Sequence, residues 1–175
     1  KVLIALPTGQ LASRMREVFG DKVDIDTCHG AFLLHRPEQE ALPLMSGYHL
    51  VIVDEFPQLS REHFDRVVRM WLAAGKAPAL VFAGDFYQLP SVSGTGPQDS
   101  PYWRGRMIYK KELYNSQRCK DETLLAKLKT LRKTVPNKIM RNRILRGHKA
   151  WSGHHEPTAW DLTQLFRQHP ETTIV

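Results

Sequence analysis

Four consecutive apolar residues run directly into two carboxylates in the stretch Leu50-Val51-Ile52-Val53-Asp54-Glu55. A short apolar run without alternation is typical of a strand covered on both faces, as in a parallel sheet. Three further runs of the same kind occupy residues 2–6, 23–25 and 80–83. We therefore expect four buried strands, with the Asp-Glu pair at the carboxyl end of the third.

Two of the segments between these runs have the apolar spacing of helices. The first apolar face consists of Leu11, Met15, Val18 and Phe19. The second consists of Phe64, Val67, Val68 and Trp71. Gly20 and Gly75 are expected to end the two helices, and Ser60 is the expected N-cap of the second. Strands and helices in alternation predict an α/β fold with a parallel sheet and right-handed crossovers.

The carboxyl ends of the third and fourth strands carry side chains suited to nucleotide chemistry. Ligands of open α/β sheets bind at this edge. Asp54 could hold Mg²⁺, directly or through water, and Glu55 could orient or deprotonate an attacking water. Asp85 and Gln88 follow the fourth strand and could face a γ-phosphate or its water. The plainer alternative is that each of these strands simply ends in a charged turn. The gap of about 30 residues between the third and fourth strands, however, fits one βαβ crossover.

The net charge of +7 is concentrated in one segment. Residues 104–149 carry 15 Lys/Arg and 3 Asp/Glu, whereas residues 1–103 carry 9 and 12. So dense a basic block favours a polyanion as partner, and a solvated surface or a disordered insertion is the alternative. The two cysteines favour a reducing compartment, and no apolar run is long enough to predict a membrane span.

Five motifs, in matching order and spacing over residues 1–133, resemble those of superfamily-one DNA helicases, above all the Pif-type and RecD-like branch. Val53-Asp54-Glu55 is similar to their motif II, and Gly84-Asp85-Phe86-Tyr87-Gln88-Leu89-Pro90 to motif III. Residues 5–12 and 26–32 resemble motifs Ia and Ib. Residues 113–118, with the Leu-rich helix that follows Asp121, resemble motif IV.

The resemblance implies a role for each matching residue of the nucleotide site. Asp54 would help to hold Mg²⁺, Asp85 would line the ATP site, and Glu55 would activate the attacking water. Gln88 would sense the γ-phosphate and couple it to bound DNA. Arg118 would contact the γ-phosphate as an arginine finger, which stabilises charge in phosphoryl transfer.

For the nucleic acid, the resemblance implies that Thr8, Thr27 and His29 touch the backbone or sugars of single-stranded DNA. The plainer alternatives are a helix cap for Thr8, a strand-end hydroxyl for Thr27 and a satisfied loop histidine for His29.

The resemblance also implies how the chain is organised. Residues 1–133 would form a RecA-like parallel sheet flanked by helices, the first motor domain of a helicase. Residues 134–171 form a basic, unassigned segment, and residues 172–175 would begin a second motor domain. The sequence contains no Gly-x-x-x-x-Gly-Lys-Ser/Thr loop. Because the chain opens within a strand, we expect that loop to precede Lys1 in a longer protein.

The resemblance implies an ATP-dependent DNA helicase or translocase that uses ATP and Mg²⁺ and acts in DNA repair or recombination, and that would be inactive as this isolated piece. The resemblance implies movement on single-stranded DNA from 5′ to 3′. An RNA-directed motor of the same superfamily and a non-catalytic nucleic-acid-binding module are the alternatives. We expect an intracellular location, in the nucleus or mitochondrion of a eukaryote or the cytoplasm of a bacterium. Nothing in the sequence predicts the oligomeric state.

Overall fold

The computed structural model describes residues 1–75, 78–88, 91–105, 110–113, 120–133 and 167. The chain divides into two compact units, Lys1–Leu113 and Tyr114–Val175. Arg118 lies outside the described residues, and so do all of residues 134–175 except Arg167. The spacing of Trp160, Leu162, Leu165 and Phe166 predicts a further helix, which also falls outside them.

The first unit contains a sheet of four parallel strands. The strands are β1 Val2–Leu6, β2 Asp24–Thr27, β3 Leu50–Val53 and β4 Ala79–Phe82. Their order across the sheet is β2-β1-β3-β4, and Ala5 in β1 is paired with Asp26 on one side and Val53 on the other. The predicted parallel α/β fold is confirmed. Since all strands point the same way, their carboxyl ends share one edge of the sheet.

Five helices and three short 3-10 turns connect and flank the strands among the described residues of this unit. The helices are α1 Gly9–Phe19, α2 Cys28–Ala31, α3 Glu38–Met45, α4 Arg61–Ala73 and α5 Pro101–Gly105. The turns are Gly20–Lys22, Phe56–Gln58 and Pro97–Asp99. The predicted ends are confirmed, because Gly20 terminates α1 with φ 56° and Ser60 caps α4. No helix in the described ranges is long and apolar enough to cross a membrane.

The second unit contains α6, Glu122–Lys133. Its sequence predicts Asp121 as the N-cap. This is confirmed, since the carboxylate of Asp121 accepts the backbone N–H groups of Thr123 and Leu124 at 2.9 and 3.0 Å.

The core lies on both faces of the sheet. On one face, alternate residues of β1 and β3 pack with α3 and α4, and Phe64, Val67 and Val68 of α4 are fully buried. On the other face, Ile4 and Leu6 pack with Ala12 of α1. The apolar face predicted for α1 is narrower than expected, because Val18 is 76% exposed at the carboxyl end of the helix.

Helix α3 was not predicted from the sequence, because it is short and contains Pro43, a residue that usually ends a helix. Contacts distant in sequence hold it in place. The guanidinium of Arg69 on α4 lies 2.8 Å from the carboxylate of Glu38, and this pairing lowers the pKa of Glu38. Arg66 of α4 donates to the backbone carbonyls of Leu33 and Leu34, just before α3.

Strand β4 is less covered than its apolar sequence predicts. It lies at one edge of the four-stranded sheet, and its Val81 side chain is 45% exposed. Among the described residues no strand pairs with its outer edge.

Cys28 provides a test of the core packing. Its thiol is fully buried at the start of α2, and burial raises its pKa from the ordinary 9.0 to about 12. At pH 8 the reactive thiolate should be roughly a thousandfold rarer than for a thiol of ordinary pKa. We expect iodoacetamide to modify Cys28 in the native chain at least a thousandfold more slowly than in urea, measured by mass spectrometry of the Cys28 peptide. Equal rates would show that this part of the core is open.

Candidate nucleotide and nucleic-acid site

Backbone hydrogen bonds extend past the ends of β3 and β4 and bring the two following loops together. The N–H of Asp54 donates to the carbonyl of Ala5 at 3.0 Å. The N–H of Ala83 donates to Val53, and that of Phe56 donates back to Ala83, at 2.9 and 3.1 Å. The Asp54-Glu55 pair and the Gly84-Asp85 turn therefore lie side by side at the carboxyl edge.

Glu55 has a left-handed backbone, with φ 50° and ψ 34°. This conformation costs a residue with a side chain about 1–2 kcal/mol, so the surrounding structure must enforce it. The N–H of Glu55 donates to the carboxylate of Asp54 at 3.0 Å, and the buried residues Phe56 and Pro57 follow immediately. Strained backbone of this kind is concentrated at functional sites, and here it falls on the predicted catalytic carboxylate.

Gly84 lies so close to the loop after β3 that no side chain fits between the two loops. A Cβ atom at this position would lie 3.0 Å from Cγ of Pro57, closer still to its Cδ, and 3.2 Å from the backbone nitrogen of Phe56. Glycine is thus required here by the close approach of motifs II and III.

We expect Gly84→Ala to destabilise the chain by about 1–3 kcal/mol, the usual cost of an added group in a packed site. Urea unfolding of the purified chain would measure it. Gly9→Ala is the matched control, because a Cβ at Gly9 meets nothing within 4 Å. Equal stability of the two variants would contradict the close packing of Gly84 on Pro57.

An aromatic cluster underlies both loops. Phe56 is buried, and its ring centroid lies 5.2–6.0 Å from those of Phe64, Phe82, Phe86 and Trp103. Phe86 belongs to motif III and meets Phe56 edge to face. Phe56, to which sequence reasoning assigned no role, thus joins motif II to motif III.

The turn that carries Asp85 and Gln88 is tight. The carboxylate of Asp85 accepts the N–H of Tyr87 at 3.0 Å, and its carbonyl accepts the N–H of Gln88 at 3.1 Å. The Gln88 side chain is exposed at this edge of the sheet. The structure therefore brings Asp54, Glu55, Asp85 and Gln88 to one edge, as predicted.

Thr8 follows β1 and Thr27 is the last residue of β2, so both lie at the same edge, and both cap helices. The Thr8 hydroxyl accepts the N–H of Leu11 at 3.4 Å, and the Thr27 hydroxyl accepts that of Gly30 at 3.0 Å. Thr8 is therefore a helix cap, which was the plainer alternative for this residue. A capping hydroxyl still has its hydrogen to donate to a phosphate oxygen.

His29, in α2, is exposed and pairs with a residue that sequence reasoning missed. Its ring meets that of His63 edge to face, with 4.9 Å between the centroids. Burial and the neighbouring His29 lower the pKa of His63. The sequence signal that could have pointed to His63 as a residue of this site is its position in the first turn of α4, shortly after motif II. Both rings line a cleft of about 230 Å³, together with Pro7, Gln58, Leu59, Ser60, Ser91, Val92 and Ser93.

Comparison with known proteins shows the family and the fold to which this architecture corresponds. A family model described as an AAA domain matches residues 1–94, just over half of the chain. No curated protein shows significant sequence similarity to this chain.

Among solved structures, the chain is similar to a Pif1 helicase from Bacteroides in complex with ADP-AlF3 and single-stranded DNA. The identity is 16%, the TM-score is 0.58, and the match covers 100% of this chain and 48% of that chain. A Pif1 helicase from Candida albicans matches with 17% identity and a TM-score of 0.47, over 100% and 51% of the two chains. The chain thus spans about half the length of these structures. It belongs to the AAA domain family and shares the fold of the Bacteroides Pif1 helicase.

Proposed function

We propose that this chain is part of an ATP-driven motor that moves along single-stranded DNA from 5′ to 3′. The observation that carries the proposal is the arrangement at the carboxyl edge of β3 and β4. There Glu55 is fixed in a left-handed conformation next to Asp54, and the Gln88 turn lies beside them. A pair of carboxylates and an amide at this edge suit ATP hydrolysis.

The residues of this edge fit Mg²⁺ and a nucleotide. One oxygen of Asp54 accepts the N–H of Glu55, which orients the carboxylate and leaves its other oxygen for the ion or its water. Mg²⁺ would neutralise phosphate charge there. Glu55 would orient and deprotonate the attacking water, and Gln88 would contact the γ-phosphate. Asp85, whose carboxylate fixes the turn, would position Gln88.

The ends of β1 and β2 would face the DNA. Thr8, Thr27 and His29 place two hydroxyls and an imidazole along the same edge, next to the nucleotide side. The Bacteroides Pif1 structure contains single-stranded DNA, and a second Pif1 structure concerns unwinding at forked duplex DNA. The basic segment 104–149 would add contacts to phosphates that do not depend on sequence.

The proposed site needs a phosphate-binding loop, which the 175-residue sequence does not contain. The role of Arg118 as an arginine finger stays a prediction. The test compares ATP hydrolysis by the 175-residue chain and by a longer protein that carries such a loop before Lys1. The chain alone should show no turnover above background, because the loop provides most phosphate contacts. The longer protein should hydrolyse ATP and be stimulated by single-stranded DNA. Absence of ATP hydrolysis there would favour a non-catalytic binding module, and stimulation by RNA alone would indicate an RNA-directed motor.

A further inference from the structure

The cleft between α2 and α4 has few groups that can donate to an anion. Ser93 donates its hydroxyl hydrogen to the carbonyl of Thr95 at 3.0 Å. The Ser91 hydroxyl, 2.8 Å from that of Ser93, must therefore donate to it. Ser60 accepts the N–H of His63 at 3.1 Å and keeps its hydroxyl hydrogen, so Ser60 and the amide of Gln58 can act as neutral donors. Both loop serines have thus used their hydrogens, and the two imidazoles are the groups that can gain a charge.

The cleft is otherwise uncharged. Its lining residues from the β1 loop, the 3-10 turn and the 91–93 loop are apolar or neutral. The charged groups that influence His63 are His29 on α2 and Glu62 and Arg66 on α4. Glu62 favours the protonated ring, whereas His29 and Arg66 oppose it. Two protonated rings 4.9 Å apart would repel each other.

We propose that His29 and His63 form a proton-coupled site for one phosphodiester group of single-stranded DNA. The proposal rests on the proposed function, and it adds a residue and a regulation that the helicase motifs do not contain. An anion in the cleft, next to both rings, offsets their mutual repulsion and makes protonation favourable. The cleft has room for several waters of about 30 Å³ each, and hence for a phosphate group.

The sign of the pH dependence follows from this coupling. In the free chain burial and His29 hold the pKa of His63 below its usual value, so the ring is neutral at pH 7. A phosphodiester stays anionic across this range and raises that pKa when it binds. DNA binding therefore takes up protons, and affinity should increase as the pH falls through the range in which imidazoles titrate.

The experiment measures binding of the 175-residue chain to a fluorescent oligothymidylate at one fixed salt concentration, between about pH 7.5 and about pH 5.5. His63→Gln and His29→Gln remove the proposed protonation, and His35→Gln is the control, because His35 is an exposed histidine that does not line the cleft. Wild type and His35→Gln should gain roughly three- to tenfold more affinity on acidification than either cleft variant, the effect expected for about one linked proton. The remaining histidines are present in all four proteins, and His35→Gln measures the effect of losing a histidine outside the cleft, so the difference isolates the pair.

A second readout is the NMR titration of the His63 ring with and without oligothymidylate. Its pKa should rise on binding, which a merely structural histidine would not show. Binding with equal pH dependence in all four proteins, or an unchanged His63 titration, would overturn the proposal and leave the motor function intact. No binding to DNA at any pH would instead count against the proposed function itself.

Discussion

Replacing Glu55 with glutamine in the longer protein should lower ATP turnover by about two to four orders of magnitude, the contribution typical of a positioned general base. Glutamine keeps the shape of the side chain but cannot accept the proton of the attacking water. The N–H of residue 55 would still donate to Asp54, so the loop should keep its conformation. ATP affinity should therefore change little. Steady-state ATPase rates, together with equilibrium binding of a nucleotide analogue, would measure both quantities.

The matched control is Glu17→Gln, which removes the same charge from an exposed position on α1. It should leave turnover unchanged. Activity of Glu55→Gln within a few-fold of wild type would show that another group activates the water, and the left-handed backbone of Glu55 would then need a different explanation.

The second large effect concerns coupling between ATP and DNA. Gln88→Ala in the longer protein should reduce DNA-stimulated turnover on the order of a hundredfold, the effect of losing one transition-state contact worth about 2–4 kcal/mol. Gln88 is exposed at the end of a turn that Asp85 holds, so the truncation should not disturb the fold. Affinity for single-stranded DNA should change little, because basic residues contribute most of it.

The experiment combines ATPase rates with and without DNA and DNA affinity at one fixed salt concentration. Gln39→Ala, an exposed glutamine on α3, is the control and should behave as wild type. Unchanged stimulation in Gln88→Ala would exclude the sensor role. A large loss of DNA affinity would instead assign Gln88 to the DNA strand.

Much of the fold could be predicted because it depends on local patterns. The strands differ from prediction by at most two residues at either end, since short apolar runs followed by Pro, Asp or Gly mark them clearly. Helices α1 and α4 have strong caps at Thr8 and Ser60. Helix α3 escaped prediction because its stability depends on the Arg69–Glu38 pair, which joins residues far apart in the chain.

The residues of the site also fall into two groups, those whose position follows from the local sequence and those whose position depends on tertiary contacts. The positions of Asp54, Glu55, Asp85 and Gln88 could be predicted because they lie in the loops that follow β3 and β4, and parallel strands bring such loops together. Contacts between residues that only the folded chain brings together could not be predicted. His63 lies beside His29 only because α4 begins next to α2, and Phe56 meets Phe86 only because two loops converge. Neither proximity leaves a periodic or motif signal in the sequence.

The edge position of β4 has a practical consequence for the chain on its own. An apolar edge strand presents unpaired N–H and C=O groups at the spacing of a sheet, and such edges are templates for association between molecules. Within the described residues the outer edge of β4 carries no charged side chain that would oppose pairing, because the strand reads Ala79-Leu80-Val81-Phe82. Among the described residues, the outer edge of β4 is therefore the place where intermolecular β-sheet would start to form as the concentration of the purified chain rises.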